Sequence, residues 1–324
     1  MSTEVTQTPQ LSTARLLLLG VASVVLCLSF VMTVFAPFPL AMAIVLYGRA
    51  KGYFTGLLGL GLSFAFAQLV YKDLTLVGFY LSIFIFGASI AEIALRNLKP
   101  IRSIVTVGMV FLSLMFGGFL LAVKAQNLTV KGFVVEKIQR SESWFAEQKA
   151  IFEKSPDSGA IQVLELLNDP SKLADEVIKT FPSTIFMGVF LMLWFNTFLI
   201  LKSRRLLQSG EDFTYSEKSL LHFKVPFGFV GLVIVGLVLA VWGSQLGSPD
   251  YETLGFTIIK CLGLFYFFQG FGVFNELLNF VGMRGFFRTL MVVFVIFSAN
   301  YLIAGIGLFD NWFDFKKYLR KRNK

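Results

Sequence analysis

One histidine and two cysteines are all that the sequence offers as soft metal ligands or redox groups. A single histidine, His222, excludes a multi-histidine metal site. Cys27 and Cys261 each fall inside an apolar run, where buried thiols fit better than a disulfide, and no Cys-x-x-Cys spacing occurs. Phosphate-binding glycine loops, nucleophile elbows and His-Glu-x-x-His pairs are missing too. No catalytic residue can be named, no metal or cofactor is expected, and an enzyme is not the expected class. Charge is the other scarcity: Asp, Glu, Lys and Arg make up 15% of the chain, against about 25% in soluble domains.

What fills the chain instead is apolar: 56% hydrophobic residues, 38 of them Phe. Runs of about 20 apolar residues, the length that crosses a bilayer, fall at roughly 15–35, 52–71, 74–95, 103–124, 183–202, 224–244, 253–281 and 287–308. The piece Phe38–Leu46 is apolar but short, bracketed by Pro37, Pro39 and Gly48; it reads as a tilted or re-entrant segment. The expected fold is all-α: a polytopic transmembrane helical bundle of eight or nine spans with one amphipathic helical insert. The run from Leu16 is followed by Ala36-Pro-Phe-Pro39 rather than a small-residue cleavage site, so it reads as a first span and not as a leader.

Five regions are expected: a disordered tail over 1–14, an N-terminal transmembrane bundle over 15–124, the amphipathic insert over 125–182, a C-terminal bundle over 183–308, and a basic aromatic interfacial tail over 309–324. Within the insert, Val130, Val134, Ile138, Phe145 and Phe152 recur at helical spacing. A break is expected at Ser155-Pro-Asp-Ser158, and Asp169-Pro170 supplies an N-cap with proline at the first helical position. In the first bundle Gly52/Gly56, Gly61/Ala65 and Gly87/Ala91 give the small-residue spacing on which membrane helices pack closely.

The net charge of +9 does not point to nucleic acid, because the basic residues sit in short loops and the tail, as the positive-inside rule places them. Arg49/Lys51, Arg96/Lys99/Arg102, Lys202/Arg204/Arg205 and Arg284/Arg288 fall on one side of alternating helices, the cytoplasmic side by charge. The insert then faces outward. Strict alternation sets the basic tail, Lys316 to Lys324, against this pattern unless one segment, with Phe256–Phe280 as the candidate, fails to cross fully or the tail overrides the count.

Polar residues inside apolar spans are the remaining chemistry, and an intramembrane polar group is by default a functional hypothesis. Gln269 lies mid-span beside Gly270 and Gly272, too far from either interface to snorkel, so it needs a partner in protein or ligand. Asn275 and Asn279 share a helix face, with Glu276 between them. Asn196 is isolated in an apolar run, and Asn300 stands in the last span. Gln269, Asn275, Glu276, Asn279, Asn196 and Asn300 are the candidate substrate-binding residues. Glu92, four residues before Arg96, reads as an interfacial ion pair.

These features resemble the YybS-like family of bacterial membrane proteins, a domain of unknown function. Carrying the resemblance are Pro37 and Pro39 before a glycine-rich helix, Pro182 leading to Asn196 and Arg204-Arg205, Phe223-Lys-Val-Pro226, Gln269-Gly270, the Arg284/Arg288 loop, and Gly307-x-x-Asp-x-x-Phe-Asp-Phe-Lys316. That family is in turn distantly similar to the substrate-binding subunits of energy-coupling-factor transporters. The resemblance implies a subunit of the bacterial cytoplasmic (inner) membrane that binds or transports a small molecule without an ATPase of its own. The alternative is a non-transporting scaffold or regulator of a membrane complex. Expected partners are the lipid bilayer, other membrane-protein subunits and an unidentified small molecule.

Overall fold

The computed structural model describes residues 13–29, 32–71, 74–140, 149, 153, 164–203, 214–246 and 249–322. Most of the expected N-terminal tail, the break at 155–158 and Arg204-Arg205 lie outside these residues. Every regular element among the described residues is helical. In chain order they are α1 (Thr13–Leu28), α2 (Pro37–Tyr47), α3 (Arg49–Phe66), α4 (Thr75–Leu95), α5 (Pro100–Ala125), α6 (Val130–Arg140), α7 (Pro170–Lys202), α8 (Glu217–Leu221), α9 (Phe229–Trp242), α10 (Pro249–Phe280), α11 (Gly285–Ser298), α12 (Asn300–Phe313) and α13 (Phe315–Arg322).

Two units are distinguishable: Met1–Gly108 with Gly188–Val225 and Tyr266–Lys324, and Met109–Met187 with Pro226–Phe265. In the first, α2 packs on α1, α3 and α4. Pro37 opens α2, where a missing N–H costs nothing, and Leu40, Ala41, Ala43 and Ile44 are fully buried. Eleven residues reach only about 17 Å, so α2 cannot cross a hydrocarbon core of about 30 Å. The face of α3 carrying Gly52, Gly56 and Gly59 lies against Ile44, Phe84 and Tyr80, whereas Gly61 faces open space. Only part of the expected small-residue pattern is therefore used for packing within the chain.

The second unit holds the amphipathic α6. Its Phe133 meets Phe119 edge-on, Phe181 packs on Phe116 and Phe119, and Lys131 pairs with Asp175 at 2.7 Å. Asp169 caps α7 through its Oδ1, which accepts the N–H groups of Ser171 and Lys172. Pro182 does not end a helix, as its place at the edge of the apolar run suggests, but lies inside α7. Hydroxyls supply local bonding on either side of it: Thr180 Oγ1 donates to the Glu176 carbonyl and Ser183 Oγ to that of Thr180. On α9, Leu232, Ile234, Val235, Leu237, Val238 and Val241 are all exposed. Only a non-aqueous solvent or a partner makes such a surface stable.

Among the described residues, six helices are long and apolar enough to cross a membrane, or seven if the bent pair Gly285–Ile296 and Asn300–Phe313 is taken as one span. The expected eight or nine counted 15–35 and 287–308 as full spans. Helix α1 instead closes at Leu28, where Thr33 Oγ1 reaches back to the Leu26, Cys27 and Ser29 carbonyls. The 287–308 run is broken at Ala299, with 92° between its two helices.

Candidate functional site

Gln269 is fully buried on α10, and both ends of its amide are engaged. Its Oε1 accepts the Val225 N–H at 2.8 Å, and its Nε2 donates to Asp310 Oδ2 at 3.0 Å and Asn311 Oδ1 at 3.2 Å. Asp310 is buried as well, and its other oxygen accepts the Lys316 N–H at 3.4 Å. That second contact is made possible by Asp314, whose left-handed backbone (φ 47°) ends α12 and turns the chain into α13. Lys316, only 7% exposed, sends its Nζ to the Phe223 carbonyl at 2.8 Å.

Backbone approach brings these groups together. A Cβ on Gly270 would overlap the Ile303 carbonyl, and one on Gly307 would overlap that of Tyr266. Glycine at both positions lets α10 and α12 touch backbone to backbone. Three stretches far apart in sequence, Phe223–Val225, Gln269-Gly270 and Gly307–Lys316, thus meet in one buried polar knot. In a low-dielectric interior each unpaired member would be costly, so the knot fixes this arrangement.

A cleft of about 500 Å³ opens among α7, α8, α10 and α11 in the same unit. Asn275, Glu276 and Asn279 line it from α10, with Lys202, His222 and Arg288. Arg288 donates to Asn279 Oδ1 at 2.8 Å and to Asn275 Oδ1 at 2.5 Å. One turn of α10 separates the two amides, so together they grip a single guanidinium. Both acceptors are neutral, so among the described residues Arg288 is positioned by hydrogen bonds and not by an ion pair. His222 Nε2 stands 3.8 Å from Glu276 Oε1. Of the charged residues lining the cleft, Lys202, Lys218 and Arg288 oppose Glu217 and Glu276.

The other candidates lie elsewhere. Gln269 is in the knot and does not line the cleft. Asn196 is buried with its Nδ2 on the Val34 and Met192 carbonyls, at 2.7 and 2.6 Å, which ties α7 to the short 3-10 helix Thr33–Phe35 before α2. Beside it Trp194 stacks between Phe198 and Phe268. Asn300 is exposed at the start of α12, its Oδ1 accepting the Tyr301 N–H. Glu92 binds Arg49, Arg96 and the Tyr53 hydroxyl, a larger assembly than the i, i+4 pair expected. Arg288 and Asp310 escaped the sequence reading, the first counted as a loop charge and the second as part of an interfacial tail.

A family model described as predicted membrane protein (DUF2232) matches residues 13–311. The chain belongs to this family. The part matched to DUF2232 takes in Gln269, Asp310 and the whole cleft, while Lys316 lies beyond it. No curated protein and no solved structure matches the chain. Among the described residues of this DUF2232 protein, no group of three or more His, Cys, Asp or Glu could hold a metal ion. What the cleft can offer is recognition: a positioned guanidinium, two lysines, two amides and an imidazole-carboxylate pair around a small volume.

Proposed function

We propose that this integral membrane protein is a small-molecule binding subunit of a transport system, holding an anionic group of its ligand against Arg288. The observation that carries this reading is the guanidinium fixed by two neutral oxygens inside a cleft. An ionised donor held in place by neutral oxygens favours a carboxylate or phosphate, which it binds through charge-assisted hydrogen bonds. The volume falls within the roughly 300–1,000 Å³ of small-molecule sites. Lacking a nucleotide-binding loop, the chain would draw energy from partner subunits, in keeping with the distant similarity of the YybS-like family to the substrate-binding subunits of energy-coupling-factor transporters.

The membrane arrangement supporting this reading has six crossings: α3, α4, α5, α7, α9 and α10. The bent pair α11 and α12 then enters and leaves on one side, and α1 with α2 stays short of a full crossing. This arrangement sets Arg49, Arg96, Lys202, Arg288 and the basic tail all on the cytoplasmic side, with the cleft opening there in a bacterial inner membrane. It accounts for the tail that strict alternation misplaces, and the Lys316–Phe223 bond ties that tail to the loop following Lys202. One observation favours the alternative of a scaffold or regulator: the polar atoms of Gln269 are already taken up within the protein.

The test is gentle extraction from the native membrane followed by native mass spectrometry. A co-purifying acidic small molecule supports the binding subunit. A stable partner protein with an empty cleft favours the scaffold.

A further inference from the structure

A second cleft, of about 760 Å³, lies where α4 passes into α5 and is more open than the first. Its lining combines the apolar Ala88, Ile93, Leu98 and Val107 and the hydroxyls of Ser89, Ser103 and Thr106 with the cations Arg96, Lys99 and Arg102, Glu92 being the one acid. Glu92 is already committed to Arg49 and Arg96 at 2.7 and 2.5 Å. Lys99 and Arg102, both exposed, have no acidic partner among the described residues. A partly apolar cleft with two cations that have no acidic partner among the described residues, at the ends of two helices long and apolar enough to cross a membrane, fits an amphiphile with an anionic head.

We propose that this cleft is a binding site for an anionic phospholipid, its phosphate on Lys99 and Arg102 and its acyl chain along Ala88, Ile93 and Val107. Basic pockets between membrane helices on the cytoplasmic side recognise such headgroups, and each cation near the surface adds to the attraction. Arg102 can grip a phosphate through two parallel hydrogen bonds, while Lys99 serves as a point charge. Glu92 engages Arg96 and leaves the headgroup position to the other two. The site uses none of the residues of the Arg288 cleft, so it stands whether or not that cleft binds a ligand.

The experiment is native mass spectrometry of the full chain in detergent, titrated with phosphatidylglycerol or with phosphatidylcholine of the same acyl chains. The wild type should prefer phosphatidylglycerol by roughly tenfold or more. The double variant Lys99→Gln/Arg102→Gln should bind the two lipids within about threefold of each other. Ala88→Leu, which narrows the cleft and removes no charge, should weaken both lipids. An unchanged preference in the charge variant overturns the proposal, as does unaltered lipid binding in Ala88→Leu. Soluble glycerol phosphate competing as strongly as phosphatidylglycerol overturns it too, because the site would then read a free phosphate and not a lipid.

Discussion

Gln269 and Asp310, 41 residues apart, are both buried and joined by a hydrogen bond of 3.0 Å from Nε2 to Oδ2. Their pairing holds α12 on α10 and brings the chain back toward Phe223. Gln269→Leu would strand the Val225 N–H and remove one of the two donors to Asp310. The expected loss is about 3 kcal/mol, from a cost of about 1–3 kcal/mol per buried group left without its partner. Thermal unfolding in detergent measures it, and an unchanged midpoint would show that the knot contributes nothing to stability.

Glycines on α10 should divide by what lies opposite them. Gly270→Ala drives a methyl into the Ile303 backbone, which cannot move aside as a side chain would, and a cost of about 3 kcal/mol or more is expected. Gly263→Ala meets nothing within 4 Å, and the higher helix propensity of alanine makes it neutral or stabilising by up to about 1 kcal/mol. Yield and unfolding temperature of the two variants, compared side by side, check the contrast.

Much of this arrangement was legible, and the illegible part has identifiable causes. A glutamine in mid-span demanded a partner, and periodicity put Asn275 and Asn279 on one face. What gave no signal was the identity of partners brought near by tertiary packing. Asp310 lies between Phe309 and Trp312, a setting that reads as a membrane-interface anchor. Arg288 lies in the first turn of α11, close enough to Arg284 to read in the sequence as a loop charge, which topology alone explains. Span counting erred toward excess for a related reason. Hydropathy remains high through Ser29–Phe35, yet Thr33 closes the helix there, and the chain from Gly285 to Phe313 is apolar on both sides of a sharp bend.

Glu92 should show the weak coupling typical of exposed ion pairs. Its partners Arg49 and Arg96 are half-exposed or more, at 51% and 65% of their side chains, so solvent screens much of the attraction. A double-mutant cycle of Glu92→Gln with Arg49→Gln should give a coupling of about 0.5–1 kcal/mol, shrinking at high salt. A coupling several times larger would place the pair in a far less polar setting.

Tail topology can be read by chemistry. Tyr318 is 64% exposed, and Tyr318→Cys in a background lacking Cys27 and Cys261 offers a single thiol. A membrane-impermeant maleimide should label it in inverted membrane vesicles and not in intact cells. Labelling of intact cells would make the bent pair α11 and α12 a full crossing.

The central claim is that Arg288 holds the anionic group of a ligand, and occupancy of the cleft tests it directly. Native mass spectrometry of the wild type, Arg288→Lys and Arg288→Gln, each extracted from its own membrane, compares the three. The account predicts a small acidic molecule on the wild type, reduced occupancy in Arg288→Lys, where the two-pronged grip on Asn275 and Asn279 is lost, and none in Arg288→Gln. Equal occupancy in all three, or a wild type carrying no small molecule, would contradict it.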